Sequence, residues 1–112
     1  VTSFCLTYDT PLDGQKLSLA LELLRSAHGD RLLRVKGIVN VDGEPAPFVI
    51  HGVQHIFYPP ASLEAWPSDD RRSRIVFITK QLDQATVCEI FEPMFASRPR
   101  DHTPNYESWT AD

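Results

Sequence analysis

Little in this chain announces chemistry. Of 112 residues only two are cysteine, Cys5 and Cys88, and both sit inside apolar patterns. That is too few for a disulfide framework, and no C-x-x-C pair occurs, so buried free thiols are expected rather than a disulfide or metal ligands. The five glycines are scattered. Neither G-x-x-x-x-G-K-S/T nor G-x-G-x-x-G is present, so nothing here cradles a nucleotide phosphate. G-x-S-x-G and H-E-x-x-H are missing too. Glu22 and Glu89 fall on the polar faces of the two helices expected below, with no sign of a carboxylate pair for acid–base work. No apolar run approaches the roughly 18 residues of a membrane span. There is no secretory leader pattern either, and a cytoplasmic location is expected. Charge of neither sign dominates: Lys and Arg total 11 against 15 Asp and Glu, a net −4. That balance argues against a nucleic-acid partner and against an anionic membrane surface.

What is present reads as one ordinary domain. Apolar residues make up 42% and charged residues 23%, the balance of a globular chain able to bury a modest core. Residues 1–96 carry regular patterns; residues 97–112 are polar with two prolines and no periodicity, a tail that is either disordered or pinned by Tyr106 and Trp109. The chain opens on strand-like sequence without Met, as a piece cut from a longer protein would.

Val1 to Tyr8 alternates and predicts a half-buried strand. Thr10 as N-cap and Pro11 at the first helical position predict a helix from Pro11 to His28, with leucines covering a broad arc. Gly29 is placed to end it in the left-handed conformation. Asp30 to Val41 predicts a strand, Asp42-Gly43 a turn, and Pro47 to Tyr58 a return strand ended by Pro59-Pro60. A loop with Trp66 and the run Asp69-Asp70-Arg71-Arg72 leads to a nearly all-apolar strand, Arg74 to Lys80. Asp83 then caps a second helix, with Leu82 and Val87 spaced as a hydrophobic staple, until Pro93 stops it. The order strand, helix, strand, strand, strand, helix predicts an α+β fold. Its sheet is mostly antiparallel, of about four strands, with both helices on one face.

The paired strands from Leu32 to Phe57 hold the candidate functional residues. Alternation puts Leu33, Val35, Gly37 and Val39 on one face. It puts Leu32, Arg34, Lys36 and Ile38 on the other, so two cations share a surface. They form either a solvated strand face or a docking surface for an acidic partner. His51 and His55 lie four apart on the return strand. At about 3.3 Å per residue their Cα atoms stand roughly 13 Å apart on a straight strand, too far for one metal ion. Convergence would need a sharp corner at Gly52. The alternative function, a weak metal-binding module using His51 and His55 with help from His102, depends on that corner. A small enzyme would need a pocket of perturbed titratable groups, and the sequence nominates none.

Taken together, three segments resemble the C-terminal domain of the CobW family of P-loop GTPases. They are the Arg34-x-Lys36-Gly37 strand, the Gly52-Val53-x-His55 return, and the Trp66 loop running through Arg72-Ser73-Arg74 into Val76-Phe77-Ile78. A helix start after Leu82 and an opening Pro11-Leu12-Asp13 fit the same pattern. The resemblance covers about residues 1–96. It implies an accessory domain, regulatory or client-docking, of a GTP-dependent metallochaperone. Such proteins serve cobalt insertion for cobalamin, zinc supply or metallocentre assembly. GTP, Mg and a transition metal would then belong to a GTPase domain outside this chain, since its P-loop and cysteine-rich metal motif do not occur here. No catalytic, cofactor-binding or metal-binding residue is expected within these residues. The implied partners are that GTPase domain and a client metalloprotein. The candidate docking surface is Arg34, Lys36, His51 and His55.

Overall fold

Four long strands and two helices form the framework of the fold. The computed structural model describes residues 1–95 and the backbone of residues 100–101. The strands are β1 (Thr2–Tyr8), β2 (Leu32–Val39), β3 (Phe48–Val53), β4 (Ile56–Phe57), β5 (Ala61–Ser62), β6 (Ser73–Thr79) and β7 (Arg100–Asp101). The helices are α1 (Gly14–His28) and α2 (Gln84–Phe91). They form one seven-stranded sheet in the order β4-β3-β2-β6-β1-β7, with β5 pairing β3 beside β4. All strand pairs are antiparallel.

β1 and β2 both flank β6 and run antiparallel to it, so they are parallel to each other and α1 is a crossover between them. β6 and β7 flank β1 in the same way, with α2 crossing over. Two interleaved β-α-β units result, a split arrangement that puts both helices on one face. Leu17, Ala20, Leu21 and Leu24 of α1 and Val87 and Phe91 of α2 pack there against Phe4, Leu6, Tyr8, Leu32, Val35, Val39, Ile50, Ile75 and Phe77. Phe77 stacks on Phe4 and meets Phe91 edge-on. The α+β class, the mostly antiparallel sheet and the single helical face match the expectation from sequence.

Several details differ from that expectation. α1 begins three residues later than Pro11 because Asp13, not Thr10, caps it: the Asp13 carboxylate accepts from the amides of Gln15 at 2.9 Å and Lys16 at 3.0 Å. Leu12 is committed elsewhere. Its amide donates to Asn40 O and its carbonyl accepts from the Asp42 amide, each at 2.8 Å, tying the helix entry to the end of β2. The buried stripe of α1 is narrower than a broad arc, for Leu19 and Leu23 stay 50% and 42% exposed. Gly29 is not left-handed; its φ is −55° and it continues into a 3-10 turn, Gly29–Arg31. A side chain there would collide with the His55 imidazole, 2.7 Å from Cε1, so close approach explains the glycine. The Asp42-Gly43 turn is as expected, with Gly43 at φ +86°.

The return strand does not run unbroken from Pro47 to Tyr58. It ends at Val53, turns at Gln54-His55 with Gln54 at φ +54°, and comes back as β4. Gly52 is not the corner. It lies opposite Phe57, whose ring would be 2.7 Å from a Cβ at that position. β5 was unforeseen: after Pro59-Pro60 the chain pairs back onto Phe48 and Val49. The second helix behaves as predicted. Asp83 caps it, accepting from the Thr86 amide at 2.9 Å and the Thr86 hydroxyl at 2.6 Å, and both Leu82 and Val87 are buried. Cys5 and Cys88 are not disulfide-bonded; the first is buried and the second half-buried. Tyr106, Trp109 and His102 lie outside the described residues.

Candidate functional site

The two faces of the sheet differ in kind. Strand register defines the face turned away from the helices as three cross-strand rows. One row is Ser3, Ile78 and Arg34; the next is Cys5, Val76, Lys36 and His51; the third is Thr7, Arg74, Ile38 and Val49. Arg34, Lys36 and Arg74 are cations on this face, and no position of these rows is acidic. Arg74 is engaged by Asp70, which also holds Arg72 through a bidentate contact at 2.8 and 3.0 Å. Within the Asp69–Arg72 run Asp70 thus pairs with Arg72, and it also reaches Arg74 on the sheet. Trp66 anchors the run further, with the Arg71 guanidinium 5.9 Å from its ring centre. The Asn40 side chain donates to Arg71 O at 3.1 Å, fixing the loop at the end of β2.

Arg34 reaches this face because of a bulge. The β2–β6 register shifts between Leu32 and Arg34, leaving Leu33 as the extra residue. Leu32 therefore turns into the core with Val35 and Val39 instead of sharing a face with Arg34. Gly37 marks a close approach of β2 and β6: a Cβ there would sit 2.7 Å from the carbonyl oxygen of Arg74.

Three of the four candidate residues share the face. Arg34, Lys36 and His51 are half-buried, and Lys36 and His51 are direct cross-strand partners. His51 stacks on Tyr58, with ring centres 5.3 Å apart and planes 21° from parallel. His55 is separate. It occupies the exposed tip of the β3–β4 turn and lies against Gly29 at the end of α1. The two histidines thus have different neighbours. Among the described residues no three His, Cys, Asp or Glu side chains are grouped so as to hold a metal ion. Beside the cations, the β3–β4 edge exposes apolar side chains: Val53 at 39%, Ile56 at 61% and Tyr58 at 51%. Sequence reasoning missed these last three. Their signal was present, an apolar residue at each of Val53, Ile56 and Tyr58, but a straight strand would have put Val53 on the opposite face from Ile56 and Tyr58. The turn at Gln54-His55 brings Val53 opposite Ile56 instead.

Two further depressions are formed by described residues. A groove of about 260 Å³ between α1 and the β3–β4 edge is lined by Leu21, Glu22, Ile50, Phe57 and Pro60, and by His51 and Tyr58 of the candidate surface itself. A wider depression of about 590 Å³ at the start of α1 is bordered by Asp13 and Asp42. The helix amides there are already taken by Asp13, and the adjacent carboxylates repel phosphate. Among the described residues no helix is long and apolar enough to cross a membrane.

Tyr8 is a strongly perturbed titratable group. Its ring is buried against Phe95, with centres 5.2 Å apart, and its hydroxyl has no hydrogen-bond partner among the described residues. Burial pushes its pKa well above the usual phenol range, and Cys88 and Glu92 nearby add to the rise. That makes it a structural tyrosine kept neutral.

Comparison with known proteins agrees with this geometry. The family described as "Cobalamin synthesis protein cobW C-terminal domain" matches residues 1–94. A curated relative, the zinc chaperone YjiA of Escherichia coli (strain K12), is 31% identical over 91 residues, which is 81% of this chain and 28% of that protein. Among solved structures, Zn(II)-bound YjiA GTPase from E. coli superposes with a TM-score of 0.75 at 30% identity, covering 84% of this chain and 29% of that one. A Zn(II)-bound triple mutant of YjiA GTPase gives the same TM-score and identity over 83% of this chain. The chain thus spans less than a third of the length of these relatives, and the part it spans is one domain. It belongs to the CobW C-terminal domain family.

Proposed function

We propose that this domain is the accessory, partner-docking domain of a GTP-dependent metallochaperone. Zinc is the metal handled, as the name of its curated relative suggests. Zinc would be cargo, held elsewhere in the parent protein. The described residues of this chain do not fit it, because their histidines are dispersed and no ligand group assembles. GTP and Mg likewise fall to the GTPase domain, for this chain has no phosphate-binding loop.

The observation that carries the reading is the sheet face without helices. Arg34, Lys36 and His51 lie on it in register, next to the exposed Val53, Ile56 and Tyr58. Cations beside exposed aromatic and aliphatic groups suit a protein surface that presents carboxylates around an apolar centre. The GTPase domain of the same parent is the first partner to test, and a client metalloprotein the second. The immobilised chain should capture the GTPase domain in at least one of the GTP-bound, GDP-bound and nucleotide-free states. Arg34→Glu with Lys36→Glu should abolish that capture while leaving the fold intact by circular dichroism. Absence of capture in every nucleotide state would refute the reading.

A further inference from the structure

The prolines between β4 and β5 leave a groove beside α1. Phe57 pairs with Gly52, and the Tyr58 amide donates to His51 O at 3.0 Å; past the prolines, Ala61 pairs with Val49. Pro59 and Pro60 therefore stand together opposite Ile50 alone, and neither has an N–H to give the ladder. A bulge of this kind bends the strand that carries it. Three depressions run into one another between that bulge and α1. One of about 260 Å³ borders Leu21 and Phe57, one of about 190 Å³ borders Leu17, Val39 and Phe48, and the one of about 590 Å³ opens at the start of α1. Ser18 lines all three, and Ile50 and Pro60 line the first two.

Floor and rim differ in chemistry. Leu17, Leu21, Val39 and Ile50 are buried members of the core, so packing shapes the floor before any ligand arrives. No lysine or arginine lines any of the three depressions. Glu22 is engaged by Arg25, and Asp13 by the first amides of α1, where it offsets the positive end of the helix dipole. Asp42 and Glu44 remain; both are exposed, and neither forms an ion pair among the described residues. Leu17 and Leu21 are one helical turn apart, about 6 Å along the axis. Side chains two residues apart on an extended chain are about 6–7 Å apart, so one can enter each apolar depression. We propose that the groove binds an extended segment of a partner protein. That segment carries two large apolar side chains two residues apart, and a lysine or arginine at the end nearest Asp42 and Glu44. The chain's own net charge of −4 favours a cationic partner over a second copy. The groove lies on the helical side of the sheet and meets the cation-bearing face only at His51 and Tyr58, so it stands apart from the docking read there.

Randomised peptides displayed on phage and selected on the whole chain are the probe. Enriched sequences should hold two large apolar residues with one residue between them, close to a lysine or arginine. Synthesised with a fluorescent label, they are titrated by anisotropy. Ser18→Phe puts a ring where the three depressions meet and should weaken binding about tenfold or more. Asp42→Lys with Glu44→Lys, two attractive charges turned repulsive, should weaken it about tenfold at low salt. That pair sits in the exposed turn and leaves α1 intact, so it decides the matter even where Ser18→Phe folds poorly. Backbone amide shifts of Ser18, Leu21 and Ile50 should move on binding, while those of Ile78 on the opposite face should not. The proposal is overturned by selection that enriches nothing, or enriches acidic or purely apolar sequences. Binding unchanged in both variants, or shifts centred on Ile78, would overturn it as well. Self-association that Ser18→Phe abolishes, seen by sedimentation, would assign the groove to a second copy and so also overturn it. No GTPase domain is present in these measurements, so failure here leaves capture of that domain standing, and the converse also holds.

Discussion

Gly37→Ala should destabilise the domain even though the same change elsewhere in a strand usually helps. Replacing glycine by alanine in extended backbone gains about 0.4–1 kcal/mol by restricting the unfolded chain. At Gly37 the new Cβ would lie 2.7 Å from Arg74 O, 3.2 Å from Ile75 Cα and 3.2 Å from Ile75 Cγ1. A comfortable carbon–oxygen contact is about 3.3 Å, so β2 and β6 must part by about half an ångström. Two of the three obstacles are backbone, and both strands are interior to the sheet, so neither can swing away without disturbing a second ladder. Overpacking of that kind costs about 1–3 kcal/mol, which outweighs the entropic gain. A net loss of about 1.3 kcal/mol corresponds to a fall in Tm of about 5–10 °C for a domain this size. Thermal unfolding followed by circular dichroism measures it. Ile75→Val in the same chain should not rescue the loss, because the closest atom is a carbonyl oxygen rather than the isoleucine side chain. Gly43→Ala provides the contrast: nothing lies within 4 Å, but φ is +86°, so the cost is conformational, about 1 kcal/mol. A Tm for Gly37→Ala equal to or above that of the parent chain would refute the close-approach argument.

Other perturbations follow from single groups. Tyr8→Phe removes a buried hydroxyl with no partner among the described residues, so chemical denaturation should show unchanged or higher stability, by up to about 1–3 kcal/mol. The folded-state pKa of Tyr8 is raised, so its contribution is present below the ordinary value of 10.0 and is lost as pH rises beyond it. Stability of the parent chain should therefore decline above pH 10, and that part of the decline should be missing in Tyr8→Phe. At the acid end, the Thr86 side chain and then its amide hold the Asp83 carboxyl below its ordinary 3.8. A depressed folded pKa stabilises above the unfolded value and is lost as pH falls through the folded one. Asp83→Ala should lower Tm at pH 7 and flatten the Tm–pH curve below about pH 4; an unchanged curve would show that the cap contributes nothing.

Alternation and caps exposed the architecture in the sequence because they are local. Phe4, Leu6 and Tyr8 face the helices, and Asp83 caps α2, for reasons confined to a few neighbouring residues. The misread features depend on contacts distant in sequence. Thr10 and Asp13 are both good caps; the choice was made by Asn40 and Asp42, whose backbone groups claim Leu12. Gly29 looks like a helix terminator until His55, far along the chain, is seen to occupy the space its side chain would need. Leu32 shares parity with Arg34 until a bulge opposite β6 breaks the count.

The candidate site shows the same division. Arg34, Lys36 and His51 could be placed on one face because a two-residue period plus one antiparallel pairing suffices. His55 could not, since its position depends on where β3 turns, and Gln54 turns it without glycine or proline to mark the spot. That unmarked turn also changes what the face is. A straight return strand would have left both histidines on the sheet beside the cations, too far apart to share a metal ion. The turned strand removes His55 to the end of α1 and sets Ile56 and Tyr58 beside Val53 and His51. Cations edged by exposed apolar groups bind proteins better than they bind ions, because the apolar edge supplies the area and the cations supply the register. The physical case for docking thus comes from the one turn the sequence did not mark.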